Sequence, residues 1–173
     1  MGAAAPVAAD VTYEPVIGIE IHVELKTASK MFCGCSSDIK DAEPNELTCP
    51  VCLAMPGALP VINRDAVRHV LAVGIAIGAT TPDVTRWDRK NYFYPDLPKG
   101  YQISQYELPL AAHGSLAVET SHGPETVGIT RAHLEEDTAR SQHTRLGDRP
   151  VSLLDYDRSG VPLLEIVTDP VIH

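Results

Sequence analysis

Four cysteines stand in two close pairs, Cys33-Gly34-Cys35 and Cys49-Pro50-Val51-Cys52, with thirteen residues between the pairs. They are the chain's only cysteines. One pair of thiolates can clamp one side of a tetrahedral Zn²⁺ and a second pair can close the other. The spacing reads as a Cys₄ zinc knuckle, Cys33, Cys35, Cys49 and Cys52, structural because no ligand position stays open. Two disulfides, or four unrelated thiols, are the competing readings. The knuckle alone does not say what the chain does.

A second set of groups lies on a strand. Residues 16–25 alternate Ile17, Ile19, Ile21, Val23 and Leu25 with Gly18, Glu20, His22 and Glu24. That period of two predicts a strand with one apolar face. Glu20, His22 and Glu24 then share the other face, with neighbours about 7 Å apart. Carboxylates suit Mg²⁺, and an imidazole can ligate or orient; an ordinary solvated strand face has the same pattern. Two later segments add carboxylates. Thr130-Arg131-Ala132-His133-Leu134-Glu135-Glu136-Asp137 sets three consecutive acids near a histidine. Such a run repels itself unless solvated or neutralised by a cation. Pro162-Leu163-Leu164-Glu165-Ile166-Val167 is an apolar strand with one charge in its middle. Buried, that charge is expensive. Either this is an edge strand with Glu165 outward, or a metal or basic partner meets Glu165 inside.

Residues 86–106 form a basic and aromatic block. It holds the single Trp, one of two Phe and four of six Tyr, beside Arg86, Arg89, Lys90 and Lys99. Aromatic faces stack on bases while Arg and Lys meet phosphates. A packed aromatic cluster with snorkelling cations would have the same composition. Pro95, Pro98 and Gly100 predict a shaped loop. The chain has no Walker-type glycine loop, so a nucleotide site here would be of another kind.

These groups need elements to hold them. At 173 residues and 44% hydrophobic content, the chain can bury one ordinary core. A net charge of −9 argues against broad, sequence-blind clamping of a nucleic-acid backbone. No apolar run approaches the length of a membrane span, and the reading is a cytoplasmic protein with reduced thiols. Residues 1–12 read as a disordered, alanine-rich tail. Asn63 reads as the N-cap of the one clear helix, 63–78, with Ala66, Val67, Val70, Leu71, Gly74 and Ile77 on its apolar face and Gly78 as its stop. Short strands are expected at 102–106, 115–120, 125–131, 151–156 and 162–168, with turns at Gly114, Gly123-Pro124, Gly147-Asp148 and Ser159-Gly160. The fold class is α+β, a largely antiparallel sheet with one principal helix and the knuckle.

Several strings together carry a resemblance. The run 16–25, Asp88-Arg89-Lys90-Asn91-Tyr92-Phe93-Tyr94-Pro95-Asp96, Tyr101-Gln102-Ile103-Ser104-Gln105, His133-Leu134-Glu135-Glu136-Asp137 and the run 157–167 resemble the B subunit family of the aspartyl/glutamyl-tRNA(Asn/Gln) amidotransferases. The resemblance covers nearly everything from Tyr13 to His173. It implies that 13–173 is most of an N-terminal catalytic cradle domain, with the family's C-terminal helical and tail domains absent. It further implies ATP-dependent phosphorylation of the side-chain carboxylate of Glu-tRNA(Gln) or Asp-tRNA(Asn). Amidation follows, with ammonia from a partner glutaminase (the A subunit) and the pair braced by a small C subunit. By resemblance, His22, Glu135 and Glu165 are the Mg²⁺ ligands and catalytic residues, with Glu20 and Glu24 nearby. Lys90, Lys99, Arg89 and Tyr92 are the candidates to meet ATP or the tRNA end, and the cysteine knuckle matches a zinc site found in part of the family. The competing expectation is a zinc-stabilised RNA-binding module without catalysis. A free-standing glutaminase does not fit, because no Ser-Lys or Cys-His nucleophile arrangement stands out.

Overall fold

The structure, a computed structural model, describes residues 12–172. The expected tail therefore lies outside the described residues, except for Thr12. The element order is β1 (Glu20–Glu24), α1 (Arg64–Ala76), β2 (Asp88–Asn91), β3 (Tyr101–Ser104), β4 (Ala111–Thr120), β5 (Gly123–Glu136), β6 (Arg140–Leu146), β7 (Arg149–Asp155) and β8 (Pro162–Thr168). Strands β1, β8, β5 and β4 make one antiparallel sheet in that order, while β2–β3 and β6–β7 are separate two-stranded ribbons.

The sheet has two chemically distinct faces because side chains alternate along each strand. Ala132 and Leu134 of β5 and Leu164 of β8 point to one face. There they join Ala66 and Val70 of α1, with Leu25, Met31, Leu110 and Ala111, in the core. Helix α1 is placed as its sequence predicts. The Asn63 Oδ1 accepts from the N–H groups of Asp65 (2.9 Å) and Ala66 (3.4 Å), and Ala66, Val70 and Gly74 are buried along one stripe. A Cβ on Gly74 would come within 2.7 Å of the Ala111 Cβ, so glycine sets how closely the helix approaches β4. Gly78, at φ +64, ends the turn in the left-handed region.

Four local expectations differ from what is observed. The first strand runs only over Glu20–Glu24, with Ile17 joined to Ile172 by an isolated bridge. Its apolar side stays open, Ile21 being 44% exposed, because α1 packs on β4 and β5 instead. Gly114 is not a turn. It pairs with Ile129 inside β4, where a Cβ would press on the Ile77 side chain and carbonyl at 2.9–3.0 Å. The block 86–106 is a hairpin arm rather than a loop alone, with Asp88–Asn91 paired to Tyr101–Ser104. The acidic run near 135 is the buried end of a fourteen-residue strand.

The free edge of β5 explains how the hairpin is seated. β4 pairs with β5 only as far as Ala132. Beyond it the β5 edge needs other partners. The Leu134 N–H donates to Gln105 Oε1 (3.1 Å), the Gln102 side-chain amide donates to the Glu136 carbonyl (2.7 Å), and the Ile103 N–H donates to Glu136 Oε1 (3.0 Å). The hairpin thus closes the sheet edge and lays Ser104 beside Glu135.

Candidate functional site

On the face opposite the core, register builds a grid. Glu20, Val167 and Arg131 lie opposite one another on β1, β8 and β5; so do His22, Glu165 and His133; so do Glu24, Leu163 and Glu135. Rows are about 7 Å apart and strands about 4.8 Å apart. Side chains from three strands therefore meet over β8. One nitrogen of His22 and one oxygen each of Glu135 and Glu165 lie within 4.8 Å of one another. The His22 Nε2 is 3.1 Å from Glu165 Oε2 and 3.7 Å from Glu135 Oε1. Of the two alternatives for Glu165, the edge position is not what occurs: β8 is a central strand, and the carboxylate is buried and faces inward.

Burial makes this set unusual. Glu135 is 2% exposed and Glu165 7%, and neither has a Lys or Arg nitrogen within 4.0 Å among the described residues. Burial pushes the Glu135 carboxyl up, but hydrogen bonding from His133 and Ser104, with the charges of His133 and Lys90, outweighs it and holds the group below its ordinary value. Ser104 Oγ donates to Glu135 Oε2 at 3.0 Å. Two buried carboxylates beside an imidazole suit a divalent cation, whose oxygen and nitrogen donors they would be. His133, absent from the expected site residues, lies 3.7 Å from both carboxylates through Nε2, and its buried Nδ1 has no partner. The string His133-Leu134-Glu135 carried that signal, since residues two apart share a strand face.

Next to this set, Asp137 is pushed up to about 6, by burial first and by the neighbouring Glu24 carboxylate, against the pull of Arg158 and the Thr138 N–H. The cleft over the grid has a volume of about 440 Å³, lined by Glu20, His22, Glu135, Glu165 and Arg131 of the sheet and by Arg89 and Lys90 of the β2–β3 hairpin. Arg89 lies over the Tyr101 ring, 4.8 Å from its centroid. Of the four expected cofactor contacts, Arg89 and Lys90 thus reach the cleft. Lys99 does not line it; its ammonium is 2.5 Å from Glu136 Oε1, on the far side of β5. Tyr92 is not among the cleft residues either, and burial with the nearby Asp96 and Glu135 charges pushes its phenol up.

The four cysteines converge as well. Their sulfurs lie within 4.8 Å of one another, all as free thiols. The Cys49 and Cys52 sulfurs are 3.8 Å apart, close to the edge of a tetrahedron with metal–sulfur bonds of about 2.3 Å. The Cys52 thiol is held down to about 5, chiefly by hydrogen bonding from Cys33, with the Cys49 N–H and the Lys30 ammonium adding, while burial opposes. Cys33, the partner in that bond, is pushed up, and burial pushes Cys35 up to about 11. Four converging sulfurs, with the Cys52 thiolate favoured, fit a metal whose binding displaces thiol protons.

Residues 15–173 match the family model described as the GatB/GatE catalytic domain. The chain is 55% identical over 161 residues to the B subunit of the aspartyl/glutamyl-tRNA(Asn/Gln) amidotransferase of Thermomicrobium roseum, covering 93% of this chain and 33% of that one. The B subunit of the same name from Methanospirillum hungatei is 53% identical over 158 residues, 91% of this chain and 33% of that protein. That of Halobacterium salinarum is 54% identical over 157 residues, 90% and 32%. The chain spans about a third of the length of these relatives. Among the described residues no helix is long and apolar enough to cross a membrane. A match running through every strand of the carboxylate face and through the knuckle leaves one conclusion: this chain belongs to the GatB/GatE catalytic domain family.

Proposed function

We propose that this chain is part of the catalytic domain of the B subunit of a tRNA-dependent amidotransferase, and that the carboxylate face is where the aminoacyl group is activated and amidated. One observation carries the reading: His22, Glu135 and Glu165, from three different strands, converge to within 4.8 Å with both carboxylates buried and unpaired by Lys or Arg. A surface that only binds RNA has no use for that convergence. The substrates are glutamate on tRNA(Gln) or aspartate on tRNA(Asn), ATP, and ammonia. The ammonia comes from a partner amidase, the A subunit, and the complex is completed by a small C subunit.

The reaction asks little covalent chemistry of the protein. A side-chain carboxylate oxygen attacks the γ-phosphorus of ATP, and ADP leaves. The ammonia nitrogen then attacks the acyl carbon, phosphate leaves, and the amide forms after loss of a proton. Phosphoryl transfer is mostly positioning and charge screening. Mg²⁺ held by His22, Glu135 and Glu165 would supply that screening. Ser104 and His133 keep Glu135 oriented and ionised, and Glu20 and Glu24 flank the set on β1. Lys90 and Arg89 stand on the opposite wall, where phosphate oxygens would lie. Zn²⁺ at Cys33, Cys35, Cys49 and Cys52 is structural, since all four donors are protein sulfurs.

The test is amide formation by the full-length protein in its assembled complex. Glu135→Ala and Glu165→Ala are expected to abolish it, by at least a hundredfold, while the complex still assembles with unchanged secondary structure. Either variant retaining wild-type turnover sinks the metal assignment.

A further inference from the structure

Three cations line the cleft, Arg89, Lys90 and Arg131, and none of them makes an ion pair with a described residue, whereas Lys99 and Arg86, outside it, pair with Glu136 and with Glu107 and Asp88. Of the three, Arg131 stands on the carboxylate sheet itself and has a buried Nε that lacks a partner. Its guanidinium lies over the Tyr106 ring, 5.3 Å from the centroid, and it lines the cleft with Glu20, His22 and Glu165.

Arg131 shares the face of His133 and Glu135 by alternation, and the register of β5 breaks just before it. Ile129 pairs with Thr168 and Arg131 with Val167, so β5 advances two residues while β8 advances one. Thr130 is the extra residue, and its hydroxyl donates to Asp169 Oδ1 at 2.5 Å. Ile129 is consequently buried on the core side and Arg131 stands on the site side. Strict alternation would have given both the same face. A bulge that re-aims one side chain beside a candidate active site is a known use of this irregularity.

We propose that Arg131 is a substrate-binding residue: its planar fork receives an oxyanion bearing two oxygens, beside the cation site and fixed by the Tyr106 ring. Guanidinium pairs with carboxylate or phosphate through two parallel N–H···O bonds, and stacking on an aromatic ring orients it beforehand. The oxyanion is either the side-chain carboxylate of the aminoacyl group or a phosphate of ATP. This rests on the reading given under Proposed function.

The experiment uses the full-length protein in its complex, measuring kcat and KM against aminoacyl-tRNA and against ATP separately. Arg131→Gln is expected to raise one KM by about tenfold or more, the loss of a charge-assisted pair. Arg131→Lys, which keeps the charge and loses the fork, is expected to recover only part of it. A rise against aminoacyl-tRNA identifies the carboxylate; a rise against ATP identifies the phosphate. Both KM values within twofold of wild type in Arg131→Gln overturn the proposal, whatever happens to kcat. Failure of Arg131→Lys to assemble also overturns it, because the residue is then structural. If Glu135→Ala is inactive while Arg131→Gln binds normally, only this inference falls. If Glu135→Ala is active, the reading beneath it falls too.

Discussion

Glu135 and Glu136 are consecutive, equally buried and opposite in fate. Neighbours on a strand point to opposite faces, so Glu135 turns to the cleft and meets a hydroxyl and two imidazoles, whereas Glu136 turns away and meets Lys99 and the Ile103 N–H. The second carboxylate has its countercharge within the fold; the first has no Lys or Arg nitrogen beside it among the described residues. Removing one partner of a buried pair strands the other charge, at a cost of about 3 kcal/mol or more. Lys99→Met should therefore lower the stability of the full-length protein by about that amount in chemical denaturation. Adding Glu136→Leu should restore part of it, since no buried charge is then stranded. Wild-type stability in Lys99→Met, with a raised KM for ATP instead, would mean that Lys99 serves the nucleotide. The sequence made His22 visible on the polar face of an alternating strand, Glu165 as the one charge of an apolar strand and Glu135 in an acidic run near a histidine, while their grouping rested on the family resemblance. It did not single out Arg131, although Arg131 stands two residues before His133 and four before Glu135 and shares their face by simple alternation; the extra residue at Thr130 turns Ile129 the other way.

At the level of elements, what could be read depended on whether an element buries its own residues. α1 was legible from its cap and apolar stripe, both of which concern residues three and four apart. β2, Asp88-Arg89-Lys90-Asn91, contains no apolar residue and exists because its backbone pairs with β3. β6 is exposed along nearly its whole length and had only the Gly147-Asp148 turn to announce it. The glycine at 114 misleads for a related reason. It looks like a turn, yet it is there because the end of α1 passes close to β4. Gly114→Ala forces a methyl against the Ile77 side chain and carbonyl. It should cost about 1–3 kcal/mol, the usual penalty of overpacking, read as a fall in thermal midpoint without loss of secondary structure. An unchanged midpoint would show that α1 can slide away from the strand. Because α1 supports the core side of the sheet whose other side holds the carboxylates, the same variant offers a measure of how far the site depends on that support.

For the whole molecule, the knuckle is a clamp on a segment far away in sequence. The loop 30–52 has almost no regular structure, and its ties lead to 154–160, the turn that delivers the chain into β8. The Lys30 ammonium donates to the carbonyls of Leu47 (2.9 Å) and Tyr156 (3.4 Å). The Leu47 N–H donates to Asp157 Oδ1 (2.7 Å), and the Tyr156 N–H donates to Asn45 Oδ1 (2.8 Å). Ser159 Oγ donates to the Cys52 carbonyl (3.3 Å), and the Met31 N–H donates to the Gly160 carbonyl (2.8 Å). Glu165 sits on the strand that this turn begins. A metal held by the four sulfurs would fix the loop, and through these ties the turn from which β8 starts. Metal binding should add to these ties as local folding free energy. Stripping zinc with a chelator under reducing conditions should speed amide hydrogen exchange at 30–52 and 154–161 by about tenfold or more, while α1 exchanges at its former rate. Cys49→Ser with Cys52→Ser should reproduce that pattern without the chelator. Exchange unaltered by chelation would mean that the side-chain ties above hold the loop unaided, and that the sulfurs lie together without a structural metal.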